Sequence, residues 1–173
     1  MQVLVPQVVD AVSPIPVVAA GGIADGRGFA AALVLGATGV NVGTRFLASE
    51  EASIDDAWKR ALLDARPEDA MKAEVWDAIF PKPAGGAFDV VPRSLRTEFI
   101  ERWQQRPDEA ASETEALGDE IMAAVRDNRM EEYVPFTGQV VGLIHDVRPA
   151  ARIVQDLVQE AEEILGRAAT MRR

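Results

Sequence analysis

Cysteine is missing from this sequence, which removes disulfides, thiolate metal sites and a cysteine nucleophile together. Histidine is nearly as scarce, with His145 the single copy. No apolar run approaches the roughly 20 residues that span a bilayer. Positive charge is also in deficit: 18 Lys+Arg stand against 28 Asp+Glu, a net charge of −10. With no basic stripe, a nucleic-acid backbone is a poor partner, and an anionic membrane surface is disfavoured for the same reason. The opening residues, Met1-Gln2-Val3-Leu4-Val5-Pro6, lack the charged n-region and cleavage site of a secretory signal. What remains, 48% hydrophobic and 27% charged residues, has the composition of a folded globular domain. The expectation is a cytoplasmic enzyme or binding protein that handles a small molecule.

The first fifty residues read as helix end, strand, helix, strand. Val8, Val9 and Val12 share one helical face, and Ser13-Pro14-Ile15-Pro16 breaks the helix because proline donates no backbone hydrogen bond. Pro16-Val17-Val18-Ala19-Ala20 is apolar without alternation, the pattern of a strand buried on both faces of a parallel sheet. Asp25 is placed to cap a helix running through Phe29, Ala30, Leu33 and Val34, and Gly36 to stop it. Gly39-Val40-Asn41-Val42-Gly43 follows as a second short strand. This is the βαβ pattern, whose crossover is right-handed.

The rest reads as mainly helical. Ile54, Trp58, Ala61 and Leu62 form one apolar face, and Leu95, Phe99, Ile100 and Trp103 another. Phe80-Pro81-Lys82-Pro83-Ala84-Gly85-Gly86 between them predicts a loop. The acidic stretch from Asp108 to Asp127 predicts one solvated helix with Ile121 and Val125 as its contacts. The last helix carries Ile153, Val154, Leu157, Val158, Ala161, Ile164 and Leu165 in a stripe, with Pro149 near its start and Gly166 near its end.

Two glycine-bearing strand ends carry the functional signal. They are Ala20-Gly21-Gly22-Ile23 and Asn41-Val42-Gly43-Thr44. Glycine at a strand end lets the backbone approach a ligand closely, and the amides of a following helix start then face an anion. Thr44 adds a hydroxyl. In TIM barrels the loops after strands 7 and 8 commonly bind phosphate. Oriented amides can hold phosphate without clustered lysine or arginine, which suits an acidic chain. The same glycines also serve tight turns, and spacing alone leaves both readings open. Arg45, just past the second loop, is able to assist a phosphate, but an arginine in that place more often makes a structural ion pair, and it is not assigned to the site.

The run from Pro16 through Gly28, with Ala30 to Ala37 after it, resembles the strand-7 region of the nitronate monooxygenase (2-nitropropane dioxygenase) family. Gly39-Val40-Asn41-Val42-Gly43-Thr44-Arg45-Phe46-Leu47-Ala48 is similar to that family's strand-8 signature, with Asn41 and Val42 where Gln and Met are usual. Gly138-Gln139-Val140-Val141-Gly142-Leu143-Ile144, leading into the last helix, resembles its C-terminal segment.

The resemblance implies an α/β fold: the last two βα units of a TIM (β/α)8 barrel, followed by a mainly helical C-terminal region. It divides the chain into barrel units over 1–65, a variable helical insertion over 66–136 and a C-terminal segment over 137–173. It implies FMN as cofactor, with Gly21, Gly22, Asn41, Val42, Gly43 and Thr44 around the phosphate. The implied activity is oxidation of alkyl nitronates by dioxygen; relatives with the same clamp reduce enoyl thioesters. The family's catalytic histidine lies on earlier strands, and the motif around His145 does not match it, so no catalytic residue and no metal ligand is assigned. The reading from another class is a catalytically inactive half-barrel that binds or assembles only, with self-association through exposed barrel edges.

Overall fold

The computed structural model describes residues 1–80 and 91–171. Along the chain come α1 (Leu4–Val12), β1 (Val18–Ala20), α2 (Gly26–Val34), β2 (Gly39–Asn41) and α3 (Thr44–Leu47). Then follow α4 (Asp56–Asp64), β3 (Ala70–Lys72), α5 (Val75–Ile79), β4 (Arg93–Leu95), α6 (Glu98–Gln104), α7 (Pro107–Ser112), α8 (Thr114–Arg126) and α9 (Ala150–Thr170). They fall into two compact units, residues 1–52 with 142–173, and residues 53–141. Most of the proline- and glycine-rich stretch read as a loop lies outside the described residues.

In the first unit β1 and β2 pair in parallel, with Val18 opposite Gly39, Ala19 opposite Val40 and Ala20 opposite Asn41. The two strands are joined through α2, as the βαβ pattern requires. Ala19 lies in an apolar cluster with Val5, Ile23, Ala32 and Ala37, against which Val9 and Val40 pack. The expectation of a strand buried on both faces is corrected: Ala19 is buried, but its neighbour Val18 is 59% exposed. Helices cover one face of this pair. The other face is the one a closed barrel would turn inward.

The ends of α2 form as the sequence directs. The Asp25 carboxylate accepts hydrogen bonds from the amides of Arg27 (3.0 Å) and Gly28 (3.2 Å). Helix α2 ends at Val34, and Gly36 turns the chain at φ +98°. Partial burial acts to raise the Asp25 pKa, but the bonds from Arg27 and Gly28 outweigh it and hold the carboxyl below its ordinary value. A depressed folded-state pKa stabilises the fold above the unfolded pKa and loses that contribution as pH falls through the folded value. Asp25→Ala is therefore expected to cost about 1 kcal/mol at neutral pH. Urea midpoints of wild type and variant should start to converge as the pH falls below about 4 and meet only below the depressed folded value.

Helix α9 buries Ile153, Leu157 and Ala161, while Val154 and Val158 of the expected stripe stay partly open. Pro149 stands at its N-terminus and Gly166 near its end, as read; the helix runs to Thr170. It lies close against α2. A β-carbon on Gly26 would overlap that of Glu160 and sit 2.6 Å from the Ala161 amide nitrogen.

The second unit has its own core, with Val75, Ile79, Phe99, Ile100, Leu117, Ile121 and Val134 among its members. Three expectations are corrected here. Strands β3 and β4 pair antiparallel, so Leu95 belongs to a strand rather than to the face of α6. The acidic stretch forms two helices, α7 and α8. In α8 the buried positions are Leu117, Ile121 and Ala124, and Val125 is 46% exposed.

Candidate functional site

Because Ala20 and Asn41 are in register, the chain leaves β1 and β2 side by side, at the C-terminal ends of a parallel pair. The Thr38 amide and hydroxyl both donate to the Val17 carbonyl, at 2.8 and 3.1 Å, and fix this alignment at the opposite end. The two glycine loops are thereby neighbours. Gly21 has φ +90° and Gly22 φ +74°, a left-handed path closed to most side chains. A β-carbon on Gly21, Gly22 or Gly43 would meet no atom within 4 Å. These glycines are thus not required by packing against the protein. The chain keeps an unusual backbone path facing open space, which fits a group held by main-chain amides.

Of the other three residues, Asn41 is exposed and Thr44 half-buried at the start of α3. The Val42 side chain packs against the apolar cluster, so only its backbone remains to serve the loop. The departure from the family's methionine is thus absorbed by the core.

The start of α2 does not join this cradle, contrary to the expectation of helix amides facing an anion. The Gly26 amide donates to Glu160 Oε2 at 2.7 Å, and those of Arg27 and Gly28 donate to Asp25. Two carboxylates already occupy the anion site of that helix.

The nearby arginines are engaged as well. Arg27 is bonded through Nε and Nη2 to Asp25. Arg45, its side chain only 7% exposed, donates Nη1 to the Asp146 carbonyl and Nη2 to Asp146 Oδ1, both at 2.8 Å. Burial lowers its pKa and the Asp146 carboxylate opposes that shift; an arginine stays charged regardless. The ion-pair reading of Arg45 is the observed one. Any anion bound between the loops would meet amides and a hydroxyl rather than a guanidinium from these two residues.

His145 is exposed and lines a cleft of about 250 Å³ with Arg45, Asp146, Arg148, Asp156 and Glu160. None of the six loop residues lines that cleft. Among the described residues no acidic or histidine cluster could hold a metal ion, and no helix is long and apolar enough to cross a membrane. Glu160 and Asp146, which complete the surroundings of the loops, carried no local sequence signal.

The first unit is α/β and is the last part of a TIM barrel. The solved structure of FabK from Thermotoga maritima matches the chain with a TM-score of 0.79 and 35% identity, over 98% of this chain and 51% of that one. Nitroalkane oxidase from Streptomyces ansochromogenes matches with a TM-score of 0.74 and 30% identity, over 98% of this chain and 45% of the other. The nitronate monooxygenase family model matches residues 1–160, and the chain belongs to that family. It is 40% identical over 172 residues to the nitronate monooxygenase npaC of Metarhizium robertsii, covering 94% of this chain and 46% of that protein. A Staphylococcus saprophyticus relative described as a probable nitronate monooxygenase is 36% identical over 170 residues, 95% of this chain and 43% of its own length. The chain thus spans about half the length of these relatives.

Proposed function

We propose that this chain supplies the phosphate-binding part of an FMN-dependent barrel that oxidises alkyl nitronates with dioxygen. The observation that carries the reading is the pair of left-handed glycines, Gly21 and Gly22, beside Gly43 with open space at all three. Gly21, Gly22, Gly43 and Thr44 would hold the phosphate, Val42 would contribute backbone, and the exposed Asn41 would reach toward the cofactor. When bound, the flavin supplies the redox chemistry; the chain's residues bind and orient it. Family membership favours the nitronate reaction, and a flavin-dependent enoyl thioester reductase of the same barrel family is the second reading.

A polypeptide carrying the complete barrel should purify yellow and consume dioxygen with an alkyl nitronate. Nicotinamide-dependent reduction of an enoyl thioester, with no nitronate turnover, would replace this reading by the second. His145→Ala in that polypeptide should leave kcat within a few-fold of wild type, since His145 lines a cleft that the loops do not share. A fall of about a thousandfold, the scale of a lost general base, would make it catalytic.

The 173-residue chain by itself should self-associate and hold flavin poorly. Leu4, Val5, Val8 and the run from Val17 to Ala20 line an apolar groove of about 250 Å³ between α1 and β1. Among the described residues β1 pairs with β2 alone, and the open strand edge beside such a groove invites another chain. On a sizing column the chain should elute ahead of a monomer and move back with Val18→Lys. An unchanged monomer peak in both would exclude this edge as the contact.

A further inference from the structure

Two carboxylates of the C-terminal segment bond residues that follow the two glycine loops in the chain. Glu160, on α9, accepts from the Gly26 amide just beyond the first loop. Asp146, in the lead-in to α9, accepts from buried Arg45 directly behind Gly43 and Thr44. Each contact crosses most of the chain, with sequence separations of 134 and 101 residues.

Further bonds zip the lead-in along the segment after α3. The Arg148 amide donates to the Ala48 carbonyl at 3.3 Å, and the Glu50 amide to the Arg148 carbonyl at 3.0 Å. The Ala150 amide donates to Glu51 Oε2 at 2.7 Å. Arg148 also bonds Asp146 Oδ2 and, through Asp156, is tied to α9 itself. One continuous strap therefore links the elements behind both loops.

We propose that this strap sets the spacing of the two loops, with Asp146 and Glu160 as positioning residues for phosphate binding. The proposal rests on reading the loops as the FMN phosphate cradle. Amides on two separate loops hold one phosphate only if their separation is fixed beforehand; otherwise binding must also order them. The strands are three residues each and leave that separation loosely set beyond Ala20 and Asn41. The strap fixes it from behind. It also explains why a carboxylate, rather than a ligand, occupies the start of α2: Glu160 uses the Gly26 amide as an anchor. Loss of the Asp146 charge leaves the buried Arg45 with only the residue-146 carbonyl and the field of Asp156, which loosens its hold on α3.

The test compares FMN with riboflavin, which lacks the phosphate, on the full-length polypeptide. Asp146→Asn and Glu160→Gln should each weaken FMN by about tenfold or more while changing riboflavin by no more than about twofold, because only the phosphate feels loop spacing. Both variants retaining the wild-type preference for FMN would overturn the strap. A wild type that binds FMN no better than riboflavin, or binds neither, would instead overturn the cradle, and the strap with it. A third measurement needs no variant and covers the case where one fails to fold. Coupling is reciprocal, so FMN, but not riboflavin, should slow hydrogen exchange at the Gly26 and Arg148 amides of the wild type. Equal protection by both ligands would contradict the proposal.

Discussion

Gly22→Val, in a polypeptide carrying the complete barrel, should purify colourless where wild type is yellow. Gly22 sits at φ +74°, where a branched residue is strained by about 1–3 kcal/mol. The would-be β-carbon meets no atom of this chain within 4 Å, so within the chain the strain is confined to the Gly22 backbone. The valine methyls would then stand in the space that the phosphate needs, and the loop would relax away from its left-handed path. Both effects fall on the ligand, so a loss of FMN affinity of more than about a hundredfold is expected, from roughly 3 kcal/mol or more. Stoichiometric FMN on the folded variant would remove this loop from the phosphate site.

Gly26→Ala should destabilise the first unit strongly. Its β-carbon would overlap the Glu160 β-carbon and approach the Ala161 nitrogen to 2.6 Å and the Glu160 carbonyl carbon to 2.8 Å. These include backbone atoms of α9, which no side-chain rotation can clear. Relief requires the two helices to part, and the Gly26–Glu160 bond goes with that movement. Overpacking of this kind costs about 1–3 kcal/mol, and the backbone contact puts it at the upper end. Gly39→Ala is the control, because its β-carbon meets nothing within 4 Å. Denaturant midpoints should fall sharply for the first and stay within about 0.5 kcal/mol of wild type for the second. Equal midpoints would mean that α2 and α9 are not in contact at Gly26.

What could be read from the sequence was local. Asp25 lies within three residues of the amides it caps, and Gly36 directly follows the helix it stops, so short-range chemistry announces both. The glycines after β1 and β2 were visible for the same reason. The partners that complete the site were not. Glu160 looks like any solvated glutamate on an amphipathic helix, and Asp146 like any loop aspartate, until folding brings them to Gly26 and Arg45. Strands β3 and β4 were hidden by length: three residues are too few to show alternation, and Leu95 continued the helical spacing of α6. The face of α8 was misread because its polar residues obscure the stripe of Leu117, Ile121 and Ala124. Valine and alanine report that β1 tolerates burial, whereas the cover itself comes from neighbouring elements, and in this chain only one face has it.

The amide cradle is tested most directly by adding inorganic phosphate to a polypeptide carrying the complete barrel and following its backbone amide resonances. If the two loops form one anion site, the Gly21, Gly22, Gly43 and Thr44 signals move together and saturate with a single dissociation constant. The Arg27 and Gly28 signals stay in place, because Asp25 already accepts from those amides. Phosphate shifts confined to the start of α2, or spread over the surface without saturation, would contradict a cradle built from the two glycine loops.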